Sequence, residues 1–284
     1  MACEIRTITF IDPDNTEWEL PYSRGVQGLF GPPIEISSVT SPTNSGSFVT
    51  DVRHGTRELA VPVYWKDTSS SQAQLTTLRG WVAALDPMRG SGYVRVDNPD
   101  GTSRRATVRL NDGWNLEEIW TQFNEGVLVF RLDGEPYFED ENEVSATYET
   151  GSTTFSFFPI FPLSLSSSTV FATADIENDG DVAAWPVWTI EGPGSAIFIN
   201  NVTTGKTIEL STTLVAGETL TIDTRPGYKT VEFNPGATNA FSDLAADASL
   251  WPLERGTNSI SIEMNGSTAE SNITLTYRRR WLSA

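Results

Sequence analysis

Short runs in which every second residue is apolar, joined by turns that contain glycine, constrain the fold of this chain more than any other feature. From Leu59 to Trp65 alternate side chains are apolar and therefore point to one face of a strand. Pro62 lies inside this run and has no N–H to donate, so the strand is predicted to lie at a sheet edge or to carry a bulge. Similar runs in the first half are Glu4–Ile11, Thr16–Leu20, Tyr93–Val96, Arg105–Leu110 and Val127–Leu132.

One segment of the first half has helical periodicity instead. The residues from Ser70 to Leu85 carry apolar side chains at helical spacing, and the serines at 69–71 offer hydroxyls for an N-cap. Pro87 and Gly90 follow and end the helix. The first half is therefore predicted to be a β-domain with one helix across it. The apolar helix positions are Leu75, Leu78, Trp81, Val82 and Leu85.

An acidic stretch separates the two halves. Between Asp133 and Glu149 there are seven acidic residues and no Lys or Arg, and such a run repels itself and stays solvated. We therefore expect a domain edge near residue 140, with domains at 1–140 and 141–284. Beyond it, closely spaced strands joined by Gly-bearing turns predict an antiparallel sandwich. These strands are Ala196–Ile199, Thr207–Leu210, Thr219–Asp223, Thr230–Phe233, Ser259–Met264 and Asn272–Tyr277.

Composition narrows the function classes. The chain has 284 residues and a formal net charge of −18, which argues against a dedicated binder of nucleic acid or of anionic membranes, since both need a basic face. A single cysteine, Cys3, excludes an internal disulfide and a cysteine-rich zinc site. A single histidine, His54, excludes a multi-histidine metal site. We expect no Sec signal peptide and, since no run of 18 apolar residues exists, no transmembrane helix.

No catalytic residue stands out. His54 is predicted to lie in a loop, as a surface residue rather than a general base. Gly194 and Ser195 follow a proline and are interpreted as a turn, and no Gly-x-Ser-x-Gly elbow exists. The chain has 37 acidic residues, but nothing singles out the pair of carboxylates that a glycosidase needs. Phosphate-binding glycine motifs are absent as well. We therefore predict that the chain is not an enzyme.

Two oxygen-rich turns are the best candidates for Ca²⁺. Neither completes a twelve-residue calcium loop with its terminal Glu, so both are interpreted as plain turns, and neither a metal ligand nor a cofactor is predicted. The turns are Asp12-x-Asp14-x-Thr16-Glu17 and Asp175-x-Glu177-x-Asp179-Gly180-Asp181.

Two further segments have alternative interpretations. The aromatic stretch from Phe155 to Pro162 is interpreted as a core strand entering the second domain, with a contact surface between subunits as the alternative. The run Arg278-Arg279-Arg280 is interpreted as a solvated terminus, and three charges are too few to indicate nucleic-acid binding.

The order of motifs resembles that of the distal tail (Dit) proteins of siphophages, and the resemblance covers nearly the whole chain. In the first half, the helix exit is followed by a hairpin and then by a proline-containing close of the domain. The second half has an Asn-Asp-Gly-Asp turn, a Trp-Pro pair and a basic C-terminal strand. The segments that carry the resemblance are Leu85-Asp86-Pro87-Met88-Arg89-Gly90-Ser91-Gly92, Asn98-Pro99-Asp100-Gly101, Gly134-Glu135-Pro136-Tyr137-Phe138, Asn178-Asp179-Gly180-Asp181, Trp185-Pro186, Thr204-Gly205-Lys206, Gly217-Glu218-Thr219, Leu250-Trp251-Pro252-Leu253 and Tyr277-Arg278-Arg279-Arg280-Trp281.

The resemblance implies a mainly β fold, with an N-terminal β-sandwich-like tail domain that has one helix and a hairpin, and a C-terminal galectin-like antiparallel β-sandwich. It also implies a structural role in the virion. Six copies would form a ring at the tail tip, joining the tail tube to tip or baseplate proteins and to fibre or receptor-binding proteins, with a channel for DNA. The chain would be made in the host cytoplasm, with neither sequence-specific nucleic-acid binding nor direct membrane insertion. Its acidic charge would line the channel or spread over the outer surface.

A monomeric carbohydrate-binding module or adhesin is the alternative from another class, because nine tryptophans offer faces on which sugar rings stack. A glycoside hydrolase remains a third. Five of the tryptophans lie in apolar patterns and are predicted to belong to the core instead: Trp18, Trp65, Trp81, Trp185 and Trp188.

Overall fold

The computed structural model describes residues 6–22, 25–40, 43, 45–66, 69–112, 117–120, 123–149 and 169–284. The chain divides into two compact units. The first comprises Met1–Glu141 together with Trp281–Ala284, and the second comprises Asn142–Arg280. The last four residues therefore return to the first unit, whereas the sequence pattern placed them in the second.

The elements of the first unit are, in chain order, β1 (Thr7–Ile11), β2 (Glu17–Glu19), β3 (Ile34–Thr40), β4 (Ser47–His54), β5 (Glu58–Lys66), α1 (Ser71–Ala84), a 3₁₀ turn (Pro87–Arg89), β6 (Gly92–Asp97), β7 (Ser103–Leu110), β8 (Glu117–Trp120), β9 (Phe123–Leu132) and β10 (Phe138–Asp140). Those of the second are β11 (Val144–Glu149), β12 (Thr169–Asn178), β13 (Val187–Glu191), β14 (Gly194–Asn201), β15 (Lys206–Leu214), β16 (Thr219–Asp223), β17 (Thr230–Phe233), β18 (Thr238–Asn239), a 3₁₀ turn (Phe241–Asp243), β19 (Gly256–Asn265) and β20 (Asn272–Tyr277). A short last strand, β21, spans Arg280–Trp281.

The main sheet of the first unit forks at β7. One branch runs in the order β2-β1-β6-β7-β10-β21, and the other leaves β7 through β9, which also pairs with β5 and β8. The first residues of β7 pair with β10, as in Arg105 with Glu139, and its last residues pair with β9, as in Leu110 with Phe130. The two branches meet in the core, where the Phe10 and Phe130 rings stack with centroids 5.7 Å apart. The mainly β, sandwich-like fold predicted for this half is confirmed.

The nitrogen of Pro62 lies on the side of β5 that faces away from β9. Ala60 and Tyr64, which flank it at the same parity, donate their N–H groups to Gln27 and Pro21 rather than to β9. Successive backbone nitrogens along a strand point to opposite sides, so the nitrogen of Pro62 points away from β9, as those of Ala60 and Tyr64 do. The proline therefore removes no hydrogen bond between β5 and β9. The strand is therefore an edge strand without a bulge at the proline, which decides between the two predicted alternatives.

Helix α1 forms where its periodicity and caps predict. The Oγ of Ser70 accepts a hydrogen bond from the N–H of Ala73 at 3.1 Å and caps the first turn. The predicted apolar face is partly wrong, because Leu75 and Val82 are each 47% exposed. Two other predicted positions, Trp81 and Leu85, are buried, and Trp81 lies at the centre of an aromatic cluster with ring centroids 5.2 Å from Trp18 and 5.7 Å from Trp65.

The second unit is an antiparallel sandwich. A six-stranded sheet in the order β11-β20-β13-β16-β17-β18 and a four-stranded sheet in the order β12-β19-β14-β15 contribute the inward side chains of one hydrophobic core. Three strands, β16, β17 and β20, have the bounds that the sequence predicts. The rings of Trp188 and Trp251 pack edge to face at its centre, and both are fully buried.

Gly194 and Ser195 do not form the predicted turn. They begin β14 and pair with Leu214 and Thr213. Glycine fits there because a Cβ on residue 194 would lie 2.6 Å from the Sδ of Met264, a core side chain that would then have to move. In a sequence, a glycine that allows a close contact inside a strand looks the same as a glycine in a turn, which explains the wrong prediction at Gly194. In the described part of the chain, no helix is long and apolar enough to span a membrane.

Candidate interaction surfaces

Strands β3 and β4 form a two-stranded antiparallel ribbon that is a sheet of its own. The N–H of Gly55 donates to the carbonyl of Pro33 at 2.7 Å and closes the base of the ribbon. Every residue of both strands is exposed, and the contact with the rest of the first unit that the described residues show is at the base, where His54 meets Tyr137. An isolated two-stranded ribbon is marginally stable in water, which makes this element a candidate for contact with a partner.

The two faces of the ribbon differ in chemistry. A register shift after Ser37 places Thr50 in a bulge, and the Oγ1 of Thr50 donates to the carbonyl of Ser37. Because of this bulge, Val49 joins Val52 on the same face. We call this the apolar face, and its large side chains are Ile34, Ile36, Val49 and Val52.

The opposite face is polar at its base and apolar near its tip. Arg53 and Glu35 form an ion pair there, with Nη2 and Oε2 2.8 Å apart. Further along, Val39 and Phe48 lie opposite each other in the register. Both side chains of the ion pair are at least half exposed, so the pair contributes little stability. The exposed apolar residues are therefore the feature of the ribbon that indicates a contact.

Exposed apolar side chains are concentrated in the first unit. Among the described residues, twelve of the sixteen exposed large hydrophobic side chains belong to it and six lie on the ribbon, each 58% to 65% exposed. Contiguous exposed apolar surface of this kind marks an interaction site. Sequence reasoning missed it, although Ile34 and Ile36 alternate with polar residues as strand residues do.

A cleft lies beside the base of the ribbon, within the first unit. It has a volume of about 870 Å³. Its floor is formed by buried apolar residues, among them Leu20 and Leu29, while Phe30 is 72% exposed and Tyr64 is 42% exposed at its sides. The guanidinium of Arg6 lies over the Phe30 ring, 5.5 Å from its centroid. The cleft therefore offers aromatic and aliphatic surface to a ligand of the same character.

His54, the only histidine of the sequence, lies at the end of a strand and contacts a tyrosine. It ends β4, so the predicted loop is wrong, and it is exposed. Its Nδ1 lies 2.9 Å from the hydroxyl of Tyr137, and the two rings meet edge to face at 5.5 Å. This contact fixes the base of the ribbon.

The first oxygen-rich turn is organised by Asp12. Its Oδ1 accepts from the N–H groups of Asp14 and Thr16, and its Oδ2 accepts from Trp18 Nε1. Burial opposes ionisation of Asp12, but these hydrogen bonds outweigh it and lower the pKa of the carboxyl. Asp14 pairs with Arg89. Asp12 thus holds the turn between β1 and β2 together, and Asp14 joins this turn to the 3₁₀ turn at Pro87–Arg89.

Glu17, the last acid of that turn, faces an arginine on the outer surface of the sheet. Both of its oxygens accept from the guanidinium of Arg95, at 2.7 and 2.9 Å. These hydrogen bonds lower the pKa of Glu17 and raise the pKa of Arg95. Asp97 flanks the same guanidinium at 3.3 Å. Two carboxylates of the sheet therefore share one guanidinium.

The acids of the second oxygen-rich turn are also engaged by neighbouring side chains. Asp175 accepts from Ser259, and Glu177 accepts from the hydroxyl of Thr257 at 2.6 Å. Asp179 pairs with Arg279 at 3.2 Å. In the described residues no group of three or more His, Cys, Asp or Glu side chains is placed to hold a metal ion.

The arginine run near the C-terminus is not a solvated terminus, and that interpretation is wrong. Arg280 is 5% exposed and its Nη1 donates to the carbonyl of Ala183 at 2.8 Å. Arg278 pairs with Glu143 at 2.9 Å. The guanidinium groups join segments of the second unit. A run of three arginines in a sequence does not by itself indicate such a role.

The tryptophans predicted to be core are buried or half-buried. Trp65, Trp81 and Trp188 are at most 5% exposed, and Trp18 and Trp185 are half-buried. The aromatic stretch from Phe155 to Pro162 lies outside the described residues.

Comparison with known proteins finds a matching family model and solved structures of similar fold. Residues 179–281 match the family model described as the siphovirus-type tail component, C-terminal domain. No curated protein matches the sequence. Among solved structures, the chain is similar to the Dit protein (gp 19.1) of phage SPP1, with 14% identity, a TM-score of 0.67, and coverage of 97% of this chain and 99% of that one.

A chain in the phage P2 baseplate, solved in its activated conformation with Ca, is also similar. It shares 11% identity and a TM-score of 0.54, with 97% of this chain and 98% of that chain covered. At sequence identities of 14% and 11%, the structural likeness shows the fold alone. The family model adds evidence from the sequence for residues 179–281. The resemblance to the distal tail proteins of siphophages is thus confirmed: residues 179–281 match the C-terminal domain of the siphovirus-type tail component, and the chain is similar in fold to the SPP1 Dit protein.

Proposed function

We propose that this chain is a structural hub protein of a phage tail tip, in which six copies form a ring that joins the tail tube to tip, baseplate, fibre or receptor-binding proteins. The observation that carries the proposal is the exposed apolar ribbon on a chain with a tail-component domain. The similar SPP1 protein is described as a hub adsorption apparatus in phages that infect Gram-positive bacteria.

The first unit is the part that we assign to the ring. It carries most of the exposed apolar side chains of the described residues, and surface of this kind is stabilised when a neighbouring subunit covers it. The second unit exposes four such side chains among the described residues: Val202, Val215, Tyr228 and Phe241. Its more polar surface suits an outward position, where it would dock fibre or receptor-binding proteins.

The ring would enclose a channel for DNA. Each chain has a formal charge of −18, so six copies carry about six times that charge. Acidic side chains on the channel wall would repel phosphates and let DNA pass without adhering. Reversing the wall acids to Lys is expected to slow genome ejection, and ejection at the normal rate would contradict this part of the proposal. The location that follows is the virion tail tip, after synthesis in the host cytoplasm.

A monomeric carbohydrate-binding module is less well supported. Sugar rings stack on exposed aromatic faces, whereas Trp65, Trp81, Trp188 and Trp251 are all buried in the cores. The Nδ1 of His54 lies against the Tyr137 hydroxyl at 2.9 Å, a contact that we interpret as structural.

The native mass of the purified chain tests the ring directly. Light scattering behind size exclusion should give about 187 kDa, six times the 31.2 kDa chain, with a closed ring in electron micrographs. Since a template can drive assembly, the same count should be made by electron microscopy on isolated tail tips. Any stoichiometry other than six there would overturn the hexamer.

A further inference from the structure

Asn265 and Gly266 form the only Asn-Gly dipeptide in the sequence. Asn265 is the last residue of β19, and Gly266 begins the turn that follows, with a φ of 69°. Both residues are exposed. In an Asn-Gly pair the backbone nitrogen of the glycine can attack the side-chain amide before it, because glycine has no Cβ that shields this nitrogen. Whether the two groups are free to meet depends on the structure around them.

Neither of the two reacting groups is held by a hydrogen bond. Among the described residues, the side-chain amide of Asn265 has no partner, and the N–H of Gly266 has none. The carbonyl of Asn265 accepts from the Oγ of Ser195 at 3.5 Å, a distance at which a hydrogen bond is weak. A Cβ on residue 266 would meet no atom within 4 Å, so the space beside the glycine is open.

The sheet ends at Asn265, which leaves its backbone weakly restrained. Asn265 pairs with Thr169, the first residue of β12, and with Ser195 near the start of β14. A register shift between Ser195 and Phe198 interrupts the pairing of β14 with β19 just beside it. The last pairs of a ladder open at little cost in free energy, so Asn265 can rotate into the conformation that the attack requires.

Comparable side chains elsewhere are restrained. Asn201 and Asn258 are fully buried, and the Nδ2 of Asn201 donates to the Oδ1 of Asn258 at 3.2 Å. Asp133 also precedes a glycine, but its carboxylate accepts from Ser91 and Arg109. These hydrogen bonds lower the pKa of Asp133 and keep it ionised, and an ionised carboxylate resists attack by a nucleophile.

We propose that Asn265 is a site of spontaneous deamidation in the folded protein. The nitrogen of Gly266 bonds to the Cγ of Asn265 and loses its proton, and the side-chain nitrogen leaves as ammonia, which produces a cyclic succinimide. Water then opens the ring at either carbonyl, giving aspartate or isoaspartate. The aspartate product adds a carboxylate on the face of β19 that carries Glu263. The isoaspartate product lengthens the main chain by a methylene group and disturbs the end of the sheet.

Ageing of the purified folded chain at mildly alkaline pH tests this site. Peptide mass spectrometry after digestion at acidic pH measures each asparagine separately. The amide of Asn265 should be lost about tenfold or more faster than those of Asn201 and Asn258. A more acidic species should appear on anion exchange, and an isoaspartyl methyltransferase should label the aged chain.

Two variants separate this reaction from general ageing. Gly266→Asp places a Cβ beside the attacking nitrogen, and aspartate tolerates a positive φ and has room here. The variant should unfold at nearly the same urea concentration as wild type and lose the Asn265 amide about tenfold or more slowly. Asn265→Gln should age without the acidic species, because the longer side chain forms the cyclic imide slowly.

Two results would overturn the proposal. One is an Asn265 that keeps its amide as long as Asn201 does. The other is an unchanged rate of amide loss in Gly266→Asp. Neither result affects the proposed function, since the native mass and the stoichiometry of the tail tip are measured on freshly prepared protein.

Discussion

Arg57 is a charged residue in the core of the first unit and is 1% exposed. Its guanidinium donates to the carbonyls of Gly28, Pro136 and Leu282 at 2.7, 3.1 and 3.0 Å, and it lies over the Phe138 ring. Burial lowers the pKa of Arg57 to about 10, so the side chain remains charged at neutral pH. One side chain thus joins three segments that are distant in sequence.

Replacing Arg57 with Met should lower the free energy of unfolding of the first unit by about 3 kcal/mol or more, since three buried carbonyls lose a charged donor. Urea unfolding followed by tryptophan fluorescence measures the change. Arg53→Met is the control, because its ion pair with Glu35 is exposed and should contribute less than about 1 kcal/mol. An equal effect of the two substitutions would contradict the role given to Arg57.

Tyr148 has a buried hydroxyl for which the described residues offer no hydrogen-bond partner. Burial, with a contribution from Tyr277, raises the pKa of Tyr148 to about 12. In the unfolded chain a tyrosine ionises near pH 10, so the folded state binds the proton more tightly between these values. The contribution to stability is present below pH 10 and is lost as the pH rises towards 12.

Tyr148→Phe should therefore leave stability at pH 7 unchanged or raise it by up to about 1 kcal/mol, and should flatten its decline above pH 10. Urea unfolding across this pH range, with an ultraviolet titration of tyrosinate, measures both effects. Tyr277→Phe is the contrasting variant, because the Tyr277 hydroxyl donates to the carbonyl of Glu177 at 2.8 Å and its loss should destabilise. Destabilisation by Tyr148→Phe at pH 7 would reveal a missing partner.

At the scale of elements, helix α1 depends on a cap that the sequence shows. Ser70→Ala removes the acceptor for the Ala73 N–H and should cost about 1 kcal/mol in urea unfolding. Ser71→Ala, one residue inside the helix, is the matched control and should change stability little, since alanine is a good helix former. Equal costs at both positions would show that the cap bond is not the source.

Local patterns predict an element well when its own residues determine its environment. Strands such as Thr219–Asp223 alternate because one face lies on the sandwich core, and Gly-bearing turns mark their ends. In the ribbon, β3 begins with the alternation of Ile34 and Ile36, but the bulge at Thr50 interrupts the alternation in β4 and apolar residues occupy both faces. The exposed ribbon could not be predicted from the sequence, because a sequence pattern does not show whether other segments of the first unit cover these apolar side chains.

At the scale of the whole molecule, the order of motifs predicts the fold, but the path of the C-terminus depends on contacts distant in sequence. Leu282 accepts from Arg57, and Ser283 accepts from Arg104 at 2.6 Å. Trp281 donates to Asp140 at 2.6 Å and lies under the Arg104 guanidinium. No local pattern in the last four residues indicates that they complete the first unit.

Removing residues 281–284 should therefore destabilise the first unit and leave the second unchanged. Hydrogen–deuterium exchange reports the units separately, and exchange should quicken in β5 and β7 while β13 and β16 keep their protection. Ser283→Ala is a milder control, because the carbonyl that Arg104 binds is retained. Faster exchange in both units would mean that the last residues support more than the first unit.

Charge sets a condition on any assembly of this chain. Subunits that each carry −18 repel one another, whereas the exposed ribbon surface that we assign to the ring is apolar. Salt screens the repulsion, since the Debye length falls from about 10 Å at 0.1 M to about 3 Å at 1 M, and it leaves apolar burial intact. The ring should therefore tighten as sodium chloride rises, measured by analytical ultracentrifugation. A variant with Ile36→Thr and Val52→Thr on the ribbon should stay monomeric throughout, which separates specific assembly from salting out. Rings that dissociate as salt rises would show that ion pairs between subunits, rather than the apolar ribbon, hold them together.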